Sequence, residues 1–190
     1  MSSATELHPS LAPLAGLVGT WAGAGEGHYP TIDRFTYTEQ VTFTHVGRPF
    51  LAYAQRTTSP ATGLPMHAET GFLRVVGSDD PARPAIELVL AHPTGVAEVE
   101  EGSLADGVLE LATTTVGLTA TAKPVRSLRR RFVLDGDVLA YDLWMAHADT
   151  PETHHLRATL HRQPRAARPG PPDPGPPNPG PPGPDPGEHG

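Results

Sequence analysis

Between Val41 and Arg162 the apolar residues come in short β-branched or aromatic runs, each broken by glycine, proline or an aspartate-containing turn. That spacing leaves little room for helix and reads as a meandering antiparallel all-β chain. Including the glycine-rich stretch upstream, ten strands are expected: GTWAGAGEGHY, RFTYTEQVTFTHV, PFLAYAQRTTS, HAETGFLRVVG, AIELVLAHP, GVAEVEEGSLA, VLELATTTVGL, SLRRRFVLDG, DVLAYDLWMAH and HHLRATLHR. An open sheet of this length exposes two edges, and closing it into an up-and-down barrel removes both. A barrel of about ten strands is also wide enough to enclose a ligand. The one helical turn is expected from Ser10 as N-cap to Leu17, with Leu11, Leu14 and Ala15 covering one mouth.

The barrel accounts for residues 1–163. Residues 164–190 are mostly proline and glycine, with two alanines as the only other apolar side chains, a composition that builds no core. No third-residue glycine period is sustained, so a collagen triple helix is a poor fit and an extended spacer is expected. The formal charge of −7 and the lack of a clustered basic footprint argue against nucleic acid. The exception, Arg126 to Phe132 (RSLRRRF), reads as one solvated strand end. No run of apolar residues is long enough to span a bilayer as a helix, and a cytoplasmic protein without membrane contact is expected. Cysteine is absent, which excludes disulfides, thiolate nucleophiles, thiolate metal sites and thioether attachment of haem. Metal chemistry must use His, Met or carboxylate.

In GTWAGAG, glycines 19, 23 and 25 surround Trp21. Glycine at alternate strand positions admits a close backbone or a flat ligand, or lets a barrel turn a corner. The next residues, EGHYPTIDRF, do not read as a helix, so a phosphate-binding loop is set aside. Trp21, at a strand start, is expected to close the hydrophobic end.

Three segments in order, GTWAGAGEGHYPT, LPMHAETGFLR and HHLRATLHR, resemble the nitrobindin family of small haem-binding barrels, similar in shape to fatty-acid-binding proteins. The resemblance spans about Leu11 to Arg162. It rests on Gly19, Trp21, Gly23 and Gly25, with Tyr29, Pro30 and Thr31 at the family's spacing. It implies one noncovalent haem b per chain, its iron bound by the histidine that precedes a leucine in the last strand, here His155. It implies reversible nitric oxide binding at ferrous iron and isomerisation of peroxynitrite to nitrate at ferric iron. Thr31 and Lys123 carry over as haem-contacting groups, and Met66, His67 and Met145 as an open distal pocket. A homodimer is left open.

The residues support a haem ligand independently. Without cysteine, neutral imidazole is the natural axial donor, and one proximal histidine leaves the sixth position open. Strand parity points elsewhere: Leu156, Ala158 and Leu160 share a parity with His154, whereas His155 lies with Arg157, Thr159 and His161. His154 is therefore the rival ligand. His161 lies roughly 20 Å from His155 along an extended strand and cannot join it. His28, His45, His92 and His147 have no metal-ligand spacing and read as surface or core filler. A different class of function, a carrier of fatty acid or another apolar ligand, would use Arg129 or Arg131 to anchor a carboxylate. A nitric oxide sensor or store would share the haem site.

Overall fold

The structure, a computed structural model, describes residues 5–77 and 79–164. The proline-rich spacer expected beyond them lies outside the described residues. Ten antiparallel strands close into a barrel: β1 (Gly19–Tyr29), β2 (Ile32–Thr44), β3 (Leu51–Thr58), β4 (Pro65–Val76), β5 (Ala85–Ala91), β6 (Val96–Ala105), β7 (Val108–Leu118), β8 (Val125–Asp135), β9 (Val138–His147) and β10 (Thr150–Arg162). Each strand pairs with its sequence neighbours, and β1 pairs with β10, Trp21 opposite Arg162 and Gly27 opposite Leu156. No edge strand remains among the described residues, the closure expected from the sequence.

Strict up-and-down order gives the barrel two chemically different ends. Turns after odd-numbered strands lie at one end, and turns after even-numbered strands lie at the other with the N-terminal segment. The latter end is shut. A 3₁₀ helix, Pro9–Leu17, lies across it and buries Leu11, Leu14 and Leu17. The expected cover of Leu11, Leu14 and Ala15 is corrected at its third member, since Ala15 is exposed. A 3₁₀ helix repeats every three residues, so Leu17 takes the inward place that an α-helical period assigns to Ala15. The cap is also moved: His8, not Ser10, is the N-cap, and its side chain accepts from the Ser10 amide.

Trp21 is fully buried under this helix, as expected, and its Nε1 donates to the Leu17 carbonyl at 2.8 Å. Arg162 stacks over the indole at 4.1 Å and donates to the Val18 and Gly16 carbonyls, binding the end of β10 to the helix. Around Trp21 the interior is aliphatic and aromatic, with Val41, Phe43, Leu51, Leu73, Leu139 and Leu160 in one core.

The strand glycines serve the barrel wall. A Cβ on Gly23 would lie 2.1 Å from the Thr159 carbonyl oxygen of β10, and one on Gly25 would lie 2.3 Å from the Tyr37 ring. Of the two roles open to them, close approach within the barrel is therefore the one the structure displays.

Candidate functional site

The opposite end opens into a cavity of about 290 Å³. Its upper wall is largely apolar, with Phe35, Val96, Val125, Leu143, Met145 and Leu156. Met66, His67 and His155 line it as well, so three of the four family-implied ligand and distal residues meet here with Met145 as the fourth. Thr31 sits in the β1–β2 turn and Lys123 in the β7–β8 turn, both exposed. Strand order puts these turns on the rim of the same mouth, and neither residue lines the cavity.

The parity conflict between His154 and His155 is resolved by a β-bulge. On β9, His154 pairs with Trp144 and Leu156 with the adjacent Leu143, leaving His155 as the extra residue. An extra residue breaks strict alternation, so His155 and Leu156 both line the cavity. His154 instead lies 2.7 Å from Asp142 and packs edge-on against Trp144.

The His155 ring is oriented through its second nitrogen. Nδ1 lies 2.9 Å from the His28 carbonyl oxygen, and a carbonyl can only accept, so Nδ1 carries the proton and Nε2 keeps its lone pair. Tyr29 and Phe35 meet the ring edge-on, at 5.3 and 6.3 Å between centroids. Tyr29 is itself fixed by donating to the Met145 carbonyl. Burial lowers the His155 pKa below its ordinary value, against the opposing hydrogen bond to His28, and neighbouring histidines add to the lowering. The imidazole is thus neutral at pH 7 and able to donate to a metal. An oriented, neutral, half-buried imidazole in a mostly apolar cavity fits an axial haem ligand.

The cavity floor is polar, a feature outside the expectations drawn from the sequence. Arg130, fully buried on β8, donates to Glu69 at 2.7 and 3.2 Å, to Glu98 at 3.1 Å and to Glu100 at 2.8 Å. Beside it, Gln55 and Tyr141 both donate to Glu39, and Tyr53 donates to Glu69 at 2.7 Å. Burial pushes Glu69 up, but the guanidinium and its hydrogen bonds prevail and hold it well below the usual carboxylate range. Glu39 goes the other way: burial raises it to about 7, despite hydrogen bonds from Gln55 and Tyr141.

Alternation carried a signal for this floor. Arg130 lies between inward Leu128 and Phe132, while Glu98 and Glu100 share a parity with Val96. The reading of RSLRRRF as a solvated end holds for its other arginines and fails for Arg130. Arg129 stacks on Trp144 and pairs with Glu152, and Arg131 faces Glu110 outside. The expected carboxylate anchors of a lipid carrier therefore point outward. Arg130, the one Arg or Lys lining the cavity among the described residues, is already held by three carboxylates. His92, expected as filler, lines the cavity beside His67, with ring nitrogens 3.2 Å apart.

Comparison with known proteins agrees with this geometry. The family model for the THAP4-like, heme-binding beta-barrel domain matches residues 10–162. Peroxynitrite isomerase 2 of Mycobacterium avium is 55% identical over 163 residues, covering 84% of this chain and 98% of that protein. Peroxynitrite isomerase of Nocardia farcinica is 52% identical over 160 residues, covering 82% and 92%. The crystal structure of Rv2717c from M. tuberculosis superimposes with a TM-score of 0.76 at 47% identity, covering 83% of this chain and 99% of that one. An S-type phycobiliprotein lyase from Guillardia theta, 12% identical with a TM-score of 0.56, shares the fold.

Proposed function

The chain belongs to the nitrobindin family of THAP4-like, haem-binding β-barrels, and from that premise we propose that it isomerises peroxynitrite to nitrate on one noncovalent haem b, which His155 would hold. The observation that carries the assignment of the ligand is the His155–His28 contact. It fixes the tautomer and leaves Nε2 as the donor atom at the cavity. The absence of cysteine supports noncovalent attachment.

Ferric haem, when held by His155, would supply a Lewis-acidic iron for the anionic substrate. The chain's own residues prepare the cavity for it. The bulge turns His155 inward, His28 holds its proton on Nδ1, and Tyr29 and Phe35 restrict ring rotation. The aliphatic side chains of the upper wall exclude water, and Lys123 on the rim adds positive potential where an anion enters. Met66, His67 and Met145 line the same cavity and would face the substrate. Reversible nitric oxide binding at ferrous iron belongs to the same proposal and would use the same iron.

Haemin titration of the purified chain, followed by its Soret band, tests the ligand. His155→Ala should weaken haem binding by more than about 100-fold, and His154→Ala should leave it within a few-fold of the parent. Stopped-flow decay of peroxynitrite with nitrate quantified as product tests the reaction. Full haem affinity in His155→Ala, or loaded protein that does not speed nitrate formation, would refute the corresponding half of the reading.

A further inference from the structure

Across the cavity from His155, three potential metal-donor atoms converge: Nε2 of His67, Nδ1 of His92 and Oε2 of Glu69. They are separated by 3.2 Å (His67 to His92), 3.5 Å (His92 to Glu69) and 3.8 Å (His67 to Glu69). A triangle with these edges has its centre about 2.0 Å from each corner, the length of a Zn–N or Zn–O bond. Oε2 of Glu69 accepts from Nη2 of Arg130 at 3.2 Å and keeps further acceptor capacity, and the two facing ring nitrogens share at most one proton between them. A divalent ion would satisfy all three.

The surroundings are those of a metal site as well. Nε2 of His92 lies 2.6 Å from Oε1 of Glu98, yet neither atom has a well-aligned hydrogen bond, and both are buried. A carboxylate behind the far nitrogen of a ligating histidine is the usual outer partner that orients such a ring. Behind the three donors, Arg130 is held by Glu69, Glu98 and Glu100, which fixes the Glu69 carboxylate in place. β4 carries His67 and Glu69, and His92 follows β5 directly. These strands lie four and five places round the ten-stranded ring from β10 and His155, so the group is on the far wall from the haem ligand.

We propose that His67, His92 and Glu69 form a second metal site, independent of His155, for a borderline divalent transition ion of the Zn²⁺ type, with a fourth position open to the cavity. Two nitrogens and one carboxylate suit such an ion better than the harder Mg²⁺ or Ca²⁺, which take oxygen ligands.

The test uses the full-length chain as purified, dialysed against a chelator and then titrated with Zn²⁺ in competition with a chromophoric indicator. One Zn²⁺ per chain is expected, along with d–d bands of a low-coordinate site when Co²⁺ replaces it in haem-free samples. His67→Gln and His92→Gln should each weaken Zn²⁺ binding by at least about 10-fold, and His155→Ala should leave it unchanged. Circular dichroism confirms folding, and the half-exposed His67 provides a variant that leaves the Arg130 cluster intact. Stoichiometric binding that persists in the His67→Gln/His92→Gln double variant, or is lost in His155→Ala, overturns the proposal. So does the absence of saturable binding in the parent chain.

Discussion

Replacing Arg130 by Met isolates the buried charge at the cavity floor. The substitution keeps much of the side-chain volume and removes four charge-assisted contacts, two to Glu69 and one each to Glu98 and Glu100. Glu69 and Glu98 are 4% and 1% exposed, so solvent cannot replace the lost guanidinium. Stranding one member of a buried ion pair costs about 3–5 kcal/mol, and the cost must depend on pH. In the parent, burial opposes ionisation but Arg130 prevails, holding both carboxyls below their ordinary value of 4.5. Such groups contribute stability above the unfolded pKa and lose it as pH falls through the folded one. In the variant burial is opposed only by the neighbouring hydrogen-bond donors, Tyr53 and the histidines among them, so the same carboxyls move upward and their contribution shrinks as pH rises. The two stability curves should therefore converge in acid and separate toward neutrality, by about 1.4 kcal/mol for each unit by which a native pKa differs. Urea unfolding of the haem-free chain, followed through Trp21 and Trp144 fluorescence at pH values from about 4 to about 7.5, measures the gap. A widening of roughly 3 kcal/mol is expected, largely reversed when Glu69 and Glu98 are also made Gln. A gap that stays constant with pH, or stays below about 1 kcal/mol at neutrality, would show that Arg130 does not hold Glu69 and Glu98 ionised.

Glu39 gives the opposite sign. Its folded pKa of about 7 lies above the ordinary 4.5, so the native state holds the extra proton between those values and stability falls as pH rises through them. The loss is about 1.4 kcal/mol per pH unit; Glu39→Gln should flatten that part of the stability profile, and parallel profiles would contradict the assignment. Gly23→Ala should destabilise the barrel by about 1–3 kcal/mol, because its Cβ meets the Thr159 backbone oxygen at 2.1 Å. Gly77→Ala, with nothing within 4 Å, is the near-neutral control in thermal unfolding. Loss of haem affinity with unchanged stability in Gly23→Ala would instead restore the flat-ligand role for that glycine.

Much of the architecture was legible in one dimension. Strand number, order and closure follow from ten apolar runs separated by turn residues, because short-range pairing dominates an up-and-down barrel and leaves few alternative topologies. The GTWAGAG segment carried the family, and the His–Leu step near the end of the domain carried the proposed ligand. Parity alone selected His154, since a one-residue bulge leaves no mark in the composition of its own strand and is defined by the register on β9.

What the sequence by itself determined is the material and its local order: strands where β-branched residues cluster, an imidazole supply without thiols, and alternation that already set Arg130 among inward neighbours. Only the tertiary structure decided which polar groups meet. Glu69, Glu98, Glu100 and Arg130 come from β4, β6 and β8, and whether each is a solvated charge or a buried partner depends on what the barrel brings opposite it. Charge burial is a property of the assembled interior, where water is excluded and partners arrive from distant strands. The same holds for His67 and His92, which are 25 residues apart in the chain and become neighbours only once the barrel closes.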